Sequence, residues 1–345
     1  MTADKGLVLV TGASGFIAQH VILALHSAGW NIRGTLRDLG RTAEVRDVLE
    51  KAQAGAGKGV QWVSTDLNFD AGWDDAARDV DAIMHVASPI PIVQPKNRDA
   101  FVATARDGAL RVLRAARDSG SVRKVVMTSS VAAVCDGLGP MPGHAFTETN
   151  WSKPEGPNIS PYARSKTIAE RAAWAFMDLE KPSFALTTVL PGLVLGPVLA
   201  KDFGVSPEIV RRLLAGEIPG MPRLGWSVVD VRDVADLHLR ALEESATDGE
   251  RLIATSDFLW MADMATALRE ACPERAAKLP KRNIPDFVVR LMGVFDPAVR
   301  GLAPDLGRQV DCSFAKAAKL VNWSPRSGRE ATKATGRSLI ELAIA

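Results

Sequence analysis

Tyr162 and Lys166 are the side chains of this sequence whose types and spacing point most directly to chemistry. The stretch from Tyr162 to Glu170 has a helical pattern, so two side chains four residues apart lie on one face. Tyr162 is also the only tyrosine among the 345 residues. A phenol and an amine held one helical turn apart can act together in catalysis, although a packed ring beside a solvated lysine is the structural alternative.

A run of hydroxyl side chains supports the catalytic interpretation. The apolar residues that begin at Val125 predict a buried strand, and this strand ends in Thr128, Ser129 and Ser130. In open α/β sheets, ligands bind beyond the carboxyl ends of the strands. The sequence therefore predicts that these hydroxyls face a ligand at the same edge of the sheet as Tyr162.

The elements that position these residues begin near the N-terminus, where a short apolar strand ends in a glycine turn. The run Leu7–Ala18 changes from strand to helix spacing after Gly12 and Gly15, and Ala18 is small enough for close packing of helix on sheet. The free N–H groups of the helix's first turn, with Ser14, Phe16 and Ile17, would then face a pyrophosphate. A plain structural turn is the alternative, but the context favours a dinucleotide-binding site.

The end of the second predicted strand indicates which dinucleotide is bound. Arg37 stands where an NAD site would place a carboxylate, and a guanidinium suits the 2′-phosphate of NADPH. Asp38 follows it and could partly neutralise that charge, and solvated surface arginines are the simpler alternative. We predict NADPH as the cofactor.

Two further strand ends are expected at the cofactor. Asp66, followed by Leu67, could accept a hydrogen bond from the adenine amine or could cap a turn. Ala87, between Val86 and Ser88, is small where the backbone must pass beside the cofactor.

The chain resembles the extended short-chain dehydrogenase/reductase family over nearly its full length. It is most similar to the branch of dihydroflavonol reductases, cinnamoyl-CoA reductases and yeast-type carbonyl reductases. The matching motifs are Thr11-Gly12-x-x-Gly15-Phe16-Ile17-Ala18, Thr35-Leu36-Arg37-Asp38, Asp66-Leu67, Val86-Ala87-Ser88-Pro89, Thr128-Ser129-Ser130, Tyr162-x-x-x-Lys166, Leu190-Pro191-Gly192-Leu193-Val194-x-Gly196-Pro197, Val229-Asp230-Val231-Arg232-Asp233-Val234-Ala235 and Leu320-Val321-Asn322-Trp323-Ser324-Pro325.

This resemblance implies hydride transfer from NADPH to a carbonyl carbon. Tyr162 would donate the proton, and Lys166 would lower the tyrosine pKa and hold the nicotinamide ribose. Ser130 would hydrogen-bond the carbonyl oxygen. The family pattern selects Ser130 over Ser129, which points to the opposite face of a strand.

The resemblance also implies the remaining contacts. Pro191, Leu193 and Val194 would lie beside the nicotinamide and exclude water. The residues expected to bind cofactor are Gly12, Ser14, Gly15, Phe16, Ile17, Arg37, Asp66, Leu67, Val86, Ala87, Ser88, Thr128, Tyr162, Lys166, Pro191, Leu193 and Val194. The residues expected to line the substrate pocket are Pro89, Ile90, Val131, Leu193, Phe203 and Met221.

The apolar pocket wall favours aromatic or aliphatic ketones and aldehydes, so we expect an NADPH-dependent carbonyl reductase. The loop after Ser130 lacks the polar residue with which plant flavonoid reductases hold their substrate. A nucleotide-sugar epimerase or dehydratase of the same superfamily and a non-catalytic NADPH-sensing regulator are the alternatives. Arg37 disfavours the first, and the complete Ser-Tyr-Lys set disfavours the second.

The predicted fold is α/β: a doubly wound Rossmann parallel sheet with a smaller C-terminal α+β substrate lobe. We expect residues 1–195 in the NADP-binding domain, with returning segments at about 225–245, and residues 196–345 mainly in the lobe. The uncharged run from Phe184 to Ala200 is too short and too broken by proline to span a membrane, and reads as a strand followed by a loop.

Composition and charge limit the kinds of binding partner that we expect. A formal net charge of +2 gives no reason to expect nucleic acid or an acidic membrane surface. The three cysteines have no disulfide or zinc spacing, and the first strand begins too early for a signal peptide, so we expect a cytoplasmic protein without a metal. A monomer or a homodimer fits equally.

Overall fold

The computed structural model describes residues 5–89, 98–139, 144–156, 159–295 and 297–345. The strands, in chain order, are β1 (Leu7–Val10), β2 (Asn31–Leu36), β3 (Val60–Ser64), β4 (Ala82–His85), β5 (Lys124–Thr128), β6 (Ala185–Pro191), β7 (Leu193–Leu195), β8 (Met221–Pro222), β9 (Gly225–Asp230), β10 (Arg251–Ala254), β11 (Phe258–Trp260) and β12 (Asn283–Ile284).

Twelve α-helices are present in the described residues, with short 3₁₀ turns between some of them. They are α1 (Phe16–Ser27), α2 (Thr42–Ala52), α3 (Trp73–Ala77), α4 (Arg98–Ser119), α5 (Pro161–Glu180), α6 (Glu208–Ala215), α7 (Val231–Glu243), α8 (Met261–Ala271), α9 (Asp286–Phe295), α10 (Pro297–Leu302), α11 (Ala315–Val321) and α12 (Gly328–Glu341).

Seven strands form one parallel sheet in the order β3-β2-β1-β4-β5-β6-β10. The order reverses direction between β1 and β4, which is the switch point where doubly wound sheets bind ligands. The predicted doubly wound α/β fold is therefore confirmed.

Helices cover both faces of this sheet because its strands are apolar on both sides. Alternate residues of β1 show the division: Val8 and Val10 pack in the layer of α1, α2 and α7, whereas Leu9 packs in the layer of α3, α4 and α5. The sheet thus holds both the glycine turn after β1 and the hydroxyls after β5 at its carboxyl edge.

Two smaller sheets belong to the C-terminal half of the chain. β9 pairs with β7 and β11, and β8 pairs with β12. The predicted loop after Pro191 is therefore wrong in part, because residues Leu193–Leu195 form β7 by pairing with β9.

The chain returns to the main sheet after leaving it. α7, within the predicted returning segment, packs against α1, and β10 then joins the edge of the sheet beside β6. The division at residue 195 remains a prediction. No helix of the described residues is long and apolar enough to cross a membrane.

Candidate active site

Helix α5 fixes the positions of Tyr162 and Lys166. Its N-terminus is capped locally: the Ser160 hydroxyl accepts a hydrogen bond from the Ala163 N–H at 3.0 Å, and Pro161 occupies the first turn. Lys166 lies in the helix face that packs against the sheet and is buried, and its Nζ donates to the Thr128 carbonyl at 3.2 Å. Tyr162 is half-buried one turn earlier.

Ser130 follows the end of β5, and its hydroxyl lies near enough to the Tyr162 phenol to lower the pKa of that group. The same oxygen accepts from the Ala132 N–H at 3.1 Å and lies 3.5 Å from the Pro191 carbonyl. Ser129 points elsewhere, because its hydroxyl donates to Glu170 at 2.7 Å. The structure therefore brings Ser130, Tyr162 and Lys166 together at the carboxyl end of β5.

Burial shifts the pKa values of Tyr162 and Lys166 in opposite directions. Burial raises the pKa of Tyr162, the hydrogen bond from Ser130 lowers it, and the nearby Asp136 carboxylate raises it. Burial lowers the pKa of Lys166 to about 8, and the Glu170 carboxylate opposes that shift. Lys166 is not among the groups that shift this pKa, so the expected lowering of the tyrosine pKa by Lys166 stays a prediction.

The glycine turn after β1 leaves room for a ligand beside the backbone. Gly12 has a φ of +66°, and a Cβ there would lie 3.0 Å from the Ala87 side chain, so only glycine fits without strain. Helix α1 starts after Gly15 with no side-chain cap, which leaves its first N–H groups available. A helix N-terminus of this kind binds phosphate, so the residues present fit a dinucleotide.

The neighbours of this turn are held by their own hydrogen bonds. The Gly12 N–H donates to the Thr35 hydroxyl at 3.1 Å, and Gln19 donates to the Ser14 carbonyl at 3.1 Å. Phe16 and Ile17 are half-buried in the first turn of α1.

Arg37 lies directly after β2 and is exposed. Within the described ranges its guanidinium makes no ion pair with a carboxylate. The Asp38 carboxylate instead accepts from the Gly40 N–H at 2.8 Å, and Arg41 pairs with Glu44 at 3.0 Å and Asp202 at 3.2 Å. Arg37 is therefore the guanidinium at this strand end that is available to a phosphate.

Asp66 and Leu67 follow β3. One Asp66 oxygen accepts from the N–H and the side-chain amide of Asn68, at 2.8 and 2.9 Å, which caps the turn. Leu67 packs closely on Gly108 of α4. The contact of Asp66 with adenine remains a prediction beside this capping role.

The residues after β4 are fixed by Thr11. Its hydroxyl accepts from the Ala87 N–H at 3.0 Å and hydrogen-bonds the buried His85 ring at 3.0 Å. Val86 and Ser88, on either side of Ala87, are half-buried.

The segment between β6 and β7 passes close to β9. A Cβ on Gly192 would lie 2.2 Å from the Ser227 carbonyl, so this approach requires glycine. Val194 is buried in the main core, whereas Leu193 is half-exposed. Only Leu193 of this pair presents a side chain that a ligand can reach.

The residues predicted for the substrate pocket fall into two groups. Pro89, Val131 and Leu193 are half-exposed. Phe203 and Met221 are only 8% and 6% exposed and pack in the core of the C-terminal half, so the structure does not group them with Val131. Ile90 lies outside the described residues.

A cavity of about 810 Å³ lies in the C-terminal half of the chain. Its lining includes Met221, Trp260 and Phe287 but none of Ser130, Tyr162 and Lys166. The described residues contain no cluster of three or more His, Cys, Asp or Glu side chains that could hold a metal ion.

Three charged residues for which the sequence predicted no role lie close to the cluster. Glu170 is fully buried one turn beyond Lys166, and Arg251 pairs with it at 2.8 Å. Burial and the Asp305 carboxylate raise the pKa of Asp136 to about 7. The four-residue spacing from Lys166 could have identified Glu170, whereas nothing in the sequence connects it to Arg251.

The chain is similar to several known proteins over most of its length. The model of the NAD dependent epimerase/dehydratase family matches residues 8–254. Ketoreductase azaE of Aspergillus niger is 32% identical over 301 residues, which cover 81% of this chain and 86% of that protein. Tetraketide alpha-pyrone reductase 1 of Arabidopsis thaliana is 32% identical over 285 residues, covering 82% and 85%.

A solved structure resembles the fold along the whole chain. Yeast methylglyoxal/isovaleraldehyde reductase Gre2, crystallised with NADPH, matches with a TM-score of 0.81 at 25% identity and covers 98% of this chain and 100% of its own. The chain belongs to the NAD dependent epimerase/dehydratase family, whose members are extended short-chain dehydrogenases/reductases. Within that family its relatives include ketoreductases and reductases of the dihydroflavonol reductase type, as the sequence motifs predicted.

Proposed function

We propose that this protein is an NADPH-dependent carbonyl reductase that reduces apolar or aromatic ketones and aldehydes to alcohols, reversibly. The coarser statement is secure: it is an NADP-dependent oxidoreductase, as its named relatives are oxidoreductases and the matching yeast enzyme was crystallised with NADPH. The substrate class and the catalytic roles below are the proposal.

One observation carries the proposal more than any other. The Ser130 hydroxyl acts on the Tyr162 phenol, and the buried ammonium of Lys166 donates to the Thr128 carbonyl two residues before Ser130, at the sheet edge that also holds the glycine turn. Two hydroxyls that converge on one point can both hydrogen-bond a single carbonyl oxygen. A carbonyl group bound there would lie at the edge where dinucleotides bind in this fold.

The roles follow from these positions. NADPH, when bound, supplies the hydride. Ser130 hydrogen-bonds the substrate oxygen as negative charge develops on it, and Tyr162 gives that oxygen a proton. Lys166 places a positive charge beneath the phenol and holds the ribose hydroxyls, while Leu193 helps to exclude water from the reacting carbon.

Cofactor binding is assigned to the residues around the glycine turn and the strand ends. Gly12, Gly15 and the first turn of α1 would receive the pyrophosphate, and Arg37 the 2′-phosphate. The remaining contacts are those expected from the sequence, namely Ser14, Phe16, Ile17, Asp66, Leu67, Val86, Ala87, Ser88, Thr128, Pro191, Leu193 and Val194.

The proposed substrates are small carbonyl compounds with an apolar body. The half-exposed pocket candidates, Pro89, Val131 and Leu193, offer apolar surface rather than the charges that a phosphorylated sugar would need. Phe203 and Met221 stay predicted pocket residues: both are largely buried, and Met221 also lines the cavity of the C-terminal half.

The decisive experiment follows nicotinamide absorbance with NADPH and then NADH against aromatic ketones, aldehydes and β-ketoesters. We expect oxidation of NADPH well above that of NADH. A preference for NADH would mean that Asp38 sets cofactor choice. Cofactor binding without oxidation in any reaction would instead support a nucleotide-sugar epimerase or dehydratase, or a sensor that binds NADPH without catalysis.

A further inference from the structure

We propose that Glu170, clamped by Arg251, is a positioning residue that fixes both the place and the positive charge of Lys166 and sets the orientation of the segment carrying Ser130. The inference rests on the proposed reductase function, because it gives Lys166 and Ser130 their roles. It adds a residue that touches neither substrate nor cofactor.

Glu170 is completely buried, and its carboxylate is fully engaged. One oxygen accepts from the Ser129 hydroxyl at 2.7 Å, and the other accepts from the Thr188 hydroxyl at 2.9 Å and from Arg251 Nε at 2.8 Å. Arg251 Nη2 adds a bond at 3.2 Å. These donors satisfy both oxygens of the buried carboxylate.

Arg251 brings a distant part of the chain to this carboxylate. It lies on β10, and its Nη1 donates to the carbonyls of Glu148 at 2.5 Å and Asn150 at 2.8 Å. Its guanidinium also stacks 3.6 Å from the centre of the Trp151 ring. The Arg251 guanidinium is therefore held by hydrogen bonds at its edge and by the aromatic ring at its face, and this fixes the position of the Glu170 carboxylate.

Two hydrogen bonds attach α5 to the end of β5, on consecutive residues. Lys166 donates to the Thr128 carbonyl, and Glu170 accepts from the Ser129 hydroxyl. Ser130 is the next residue, so its hydroxyl direction depends on a backbone that these two bonds hold. Loss of the second bond would free Ser129 to rotate and would loosen Ser130.

The charge of Glu170 also acts on the ammonium. The titratable or charged groups that face Lys166 or its partners are Tyr162 and Glu170 on α5, His85 on β4, Asp136 after β5, His238 on α7 and Arg251 on β10. Burial favours the neutral amine, His85 is uncharged in the interior, and Glu170 is the group that stabilises the ammonium. Without that carboxylate, Lys166 would lose its proton at a lower pH.

The test compares Glu170→Gln with Glu170→Asp. Both variants disturb the hydrogen bonds, but only the first removes the charge. We expect the alkaline limb of kcat/KM to move down by about one pH unit or more in Glu170→Gln. It should stay within a few tenths of a unit of wild type in Glu170→Asp. A merely structural residue would lower activity in both variants without moving the limb.

Glu180→Gln is the matched control, because it makes the same change on the same helix at an exposed residue that pairs with Arg117. It should leave the limb and the turnover unchanged. If Glu170→Gln fails to fold because Arg251 is left unpaired, the double variant Glu170→Gln/Arg251→Met removes both buried charges. It should fold and should still show the lowered limb.

A second readout does not depend on turnover. Trace labelling with acetic anhydride across pH, with Lys166 quantified in its peptide, reports the protonation of that amine directly. Glu170→Gln should shift the Lys166 titration downward; an unshifted titration overturns the inference. If the titration shifts but no carbonyl compound is reduced by any form of the protein, the reductase proposal fails and the electrostatic assignment stands.

Discussion

At the scale of single residues, the environment of Tyr162 suits the direction of reaction that we propose. A phenol whose pKa is raised by burial keeps its proton at neutral pH, and a proton donor in carbonyl reduction must hold that proton until it is needed. The hydrogen bond with Ser130 and the positive charge of Lys166 then act on the oxygen that remains. The residue types were evident in the sequence, whereas the balance among them depends on burial.

Tyr162→Phe removes the proton donor and little else. We expect the fold and NADPH affinity to be preserved, and kcat to fall by about 10²- to 10⁴-fold. Steady-state rates, NADPH fluorescence titration and circular dichroism measure the three quantities. Near-normal turnover in this variant would remove Tyr162 from the mechanism.

Arg37 is the residue on which cofactor preference is expected to depend. In Arg37→Ser we expect the KM for NADPH to rise about 10- to 100-fold, because a charge-assisted hydrogen bond to phosphate contributes about 1.5 to 3 kcal/mol. The KM for NADH should change by less than about twofold, since NADH has no 2′-phosphate. Arg46→Ser, at an exposed arginine on α2, is the matched control and should leave both constants unchanged. Equal losses for both cofactors in Arg37→Ser would contradict this assignment.

At the scale of elements, two separate features of the turn between β1 and α1 require a glycine at position 12. Gly12 needs a positive φ, and it also lies where a side chain would meet Ala87 after β4. The first demand is local to the turn. The second arises because β1 and β4 are neighbours in the sheet, although 70 residues of chain separate the two turns.

Gly12→Ala and Gly29→Ala separate these two demands. Gly29 has a φ of +84° and open space around it, so the alanine there should cost about 1 to 2 kcal/mol of unfolding free energy through backbone strain alone. Gly12→Ala should cost about 1 to 3 kcal/mol more because of the contact with Ala87. Urea unfolding of both variants measures the difference. Equal costs would mean that the backbone moves aside without penalty.

At the scale of the whole molecule, three buried histidines join elements that are distant in sequence. His20 on α1 donates to the Pro197 carbonyl, His85 on β4 bonds Thr11, and His238 on α7 accepts from the Thr128 hydroxyl. His238 must carry its proton on Nδ1, because that nitrogen faces the Val234 carbonyl at 2.8 Å. Burial favours the neutral form of all three rings in the folded state.

Burial lowers the pKa values of these histidines from 6.5 to about 4, 3 and 4 for His20, His85 and His238. Between pH 6.5 and 4 the unfolded chain takes up protons that the folded chain refuses, so the unfolding free energy falls as pH falls through this window. Each histidine contributes up to about 1.4 kcal/mol per pH unit to that slope.

In His238→Gln, the change of unfolding free energy with pH should be smaller by about the contribution of one histidine, whatever the effect of the substitution on stability at pH 7. His144→Gln changes an exposed histidine and should leave the slope as in wild type. Urea unfolding at half-unit intervals from pH 7 to 5 supplies the measurement. An unchanged slope in His238→Gln would show that this ring does not set the acid sensitivity.

The sequence predicted those parts of the structure that depend on local pattern. The alternation of apolar strand and helix predicted the doubly wound sheet, and the glycine spacing predicted the turn after β1. Local pattern does not decide which of two nearby carboxylates caps α7. Asp230 caps it by accepting from the Arg232 N–H at 2.9 Å, whereas Asp233 accepts from the Arg326 N–H at 2.6 Å. A carboxylate chooses between a nearby N–H and a distant partner only once the chain has folded.

By itself, the sequence determined the fold class, the family and the identity of the catalytic candidates, because these follow from residue type and from spacings of a few residues. The tertiary structure decided which charged side chains pair with each other. Arg251 reaches Glu170 across 81 residues, since β10 pairs in parallel with β6. It also decided that Phe203 and Met221 belong to a core. Burial and electrostatic coupling depend on what packs around a residue, and that neighbourhood exists only in three dimensions.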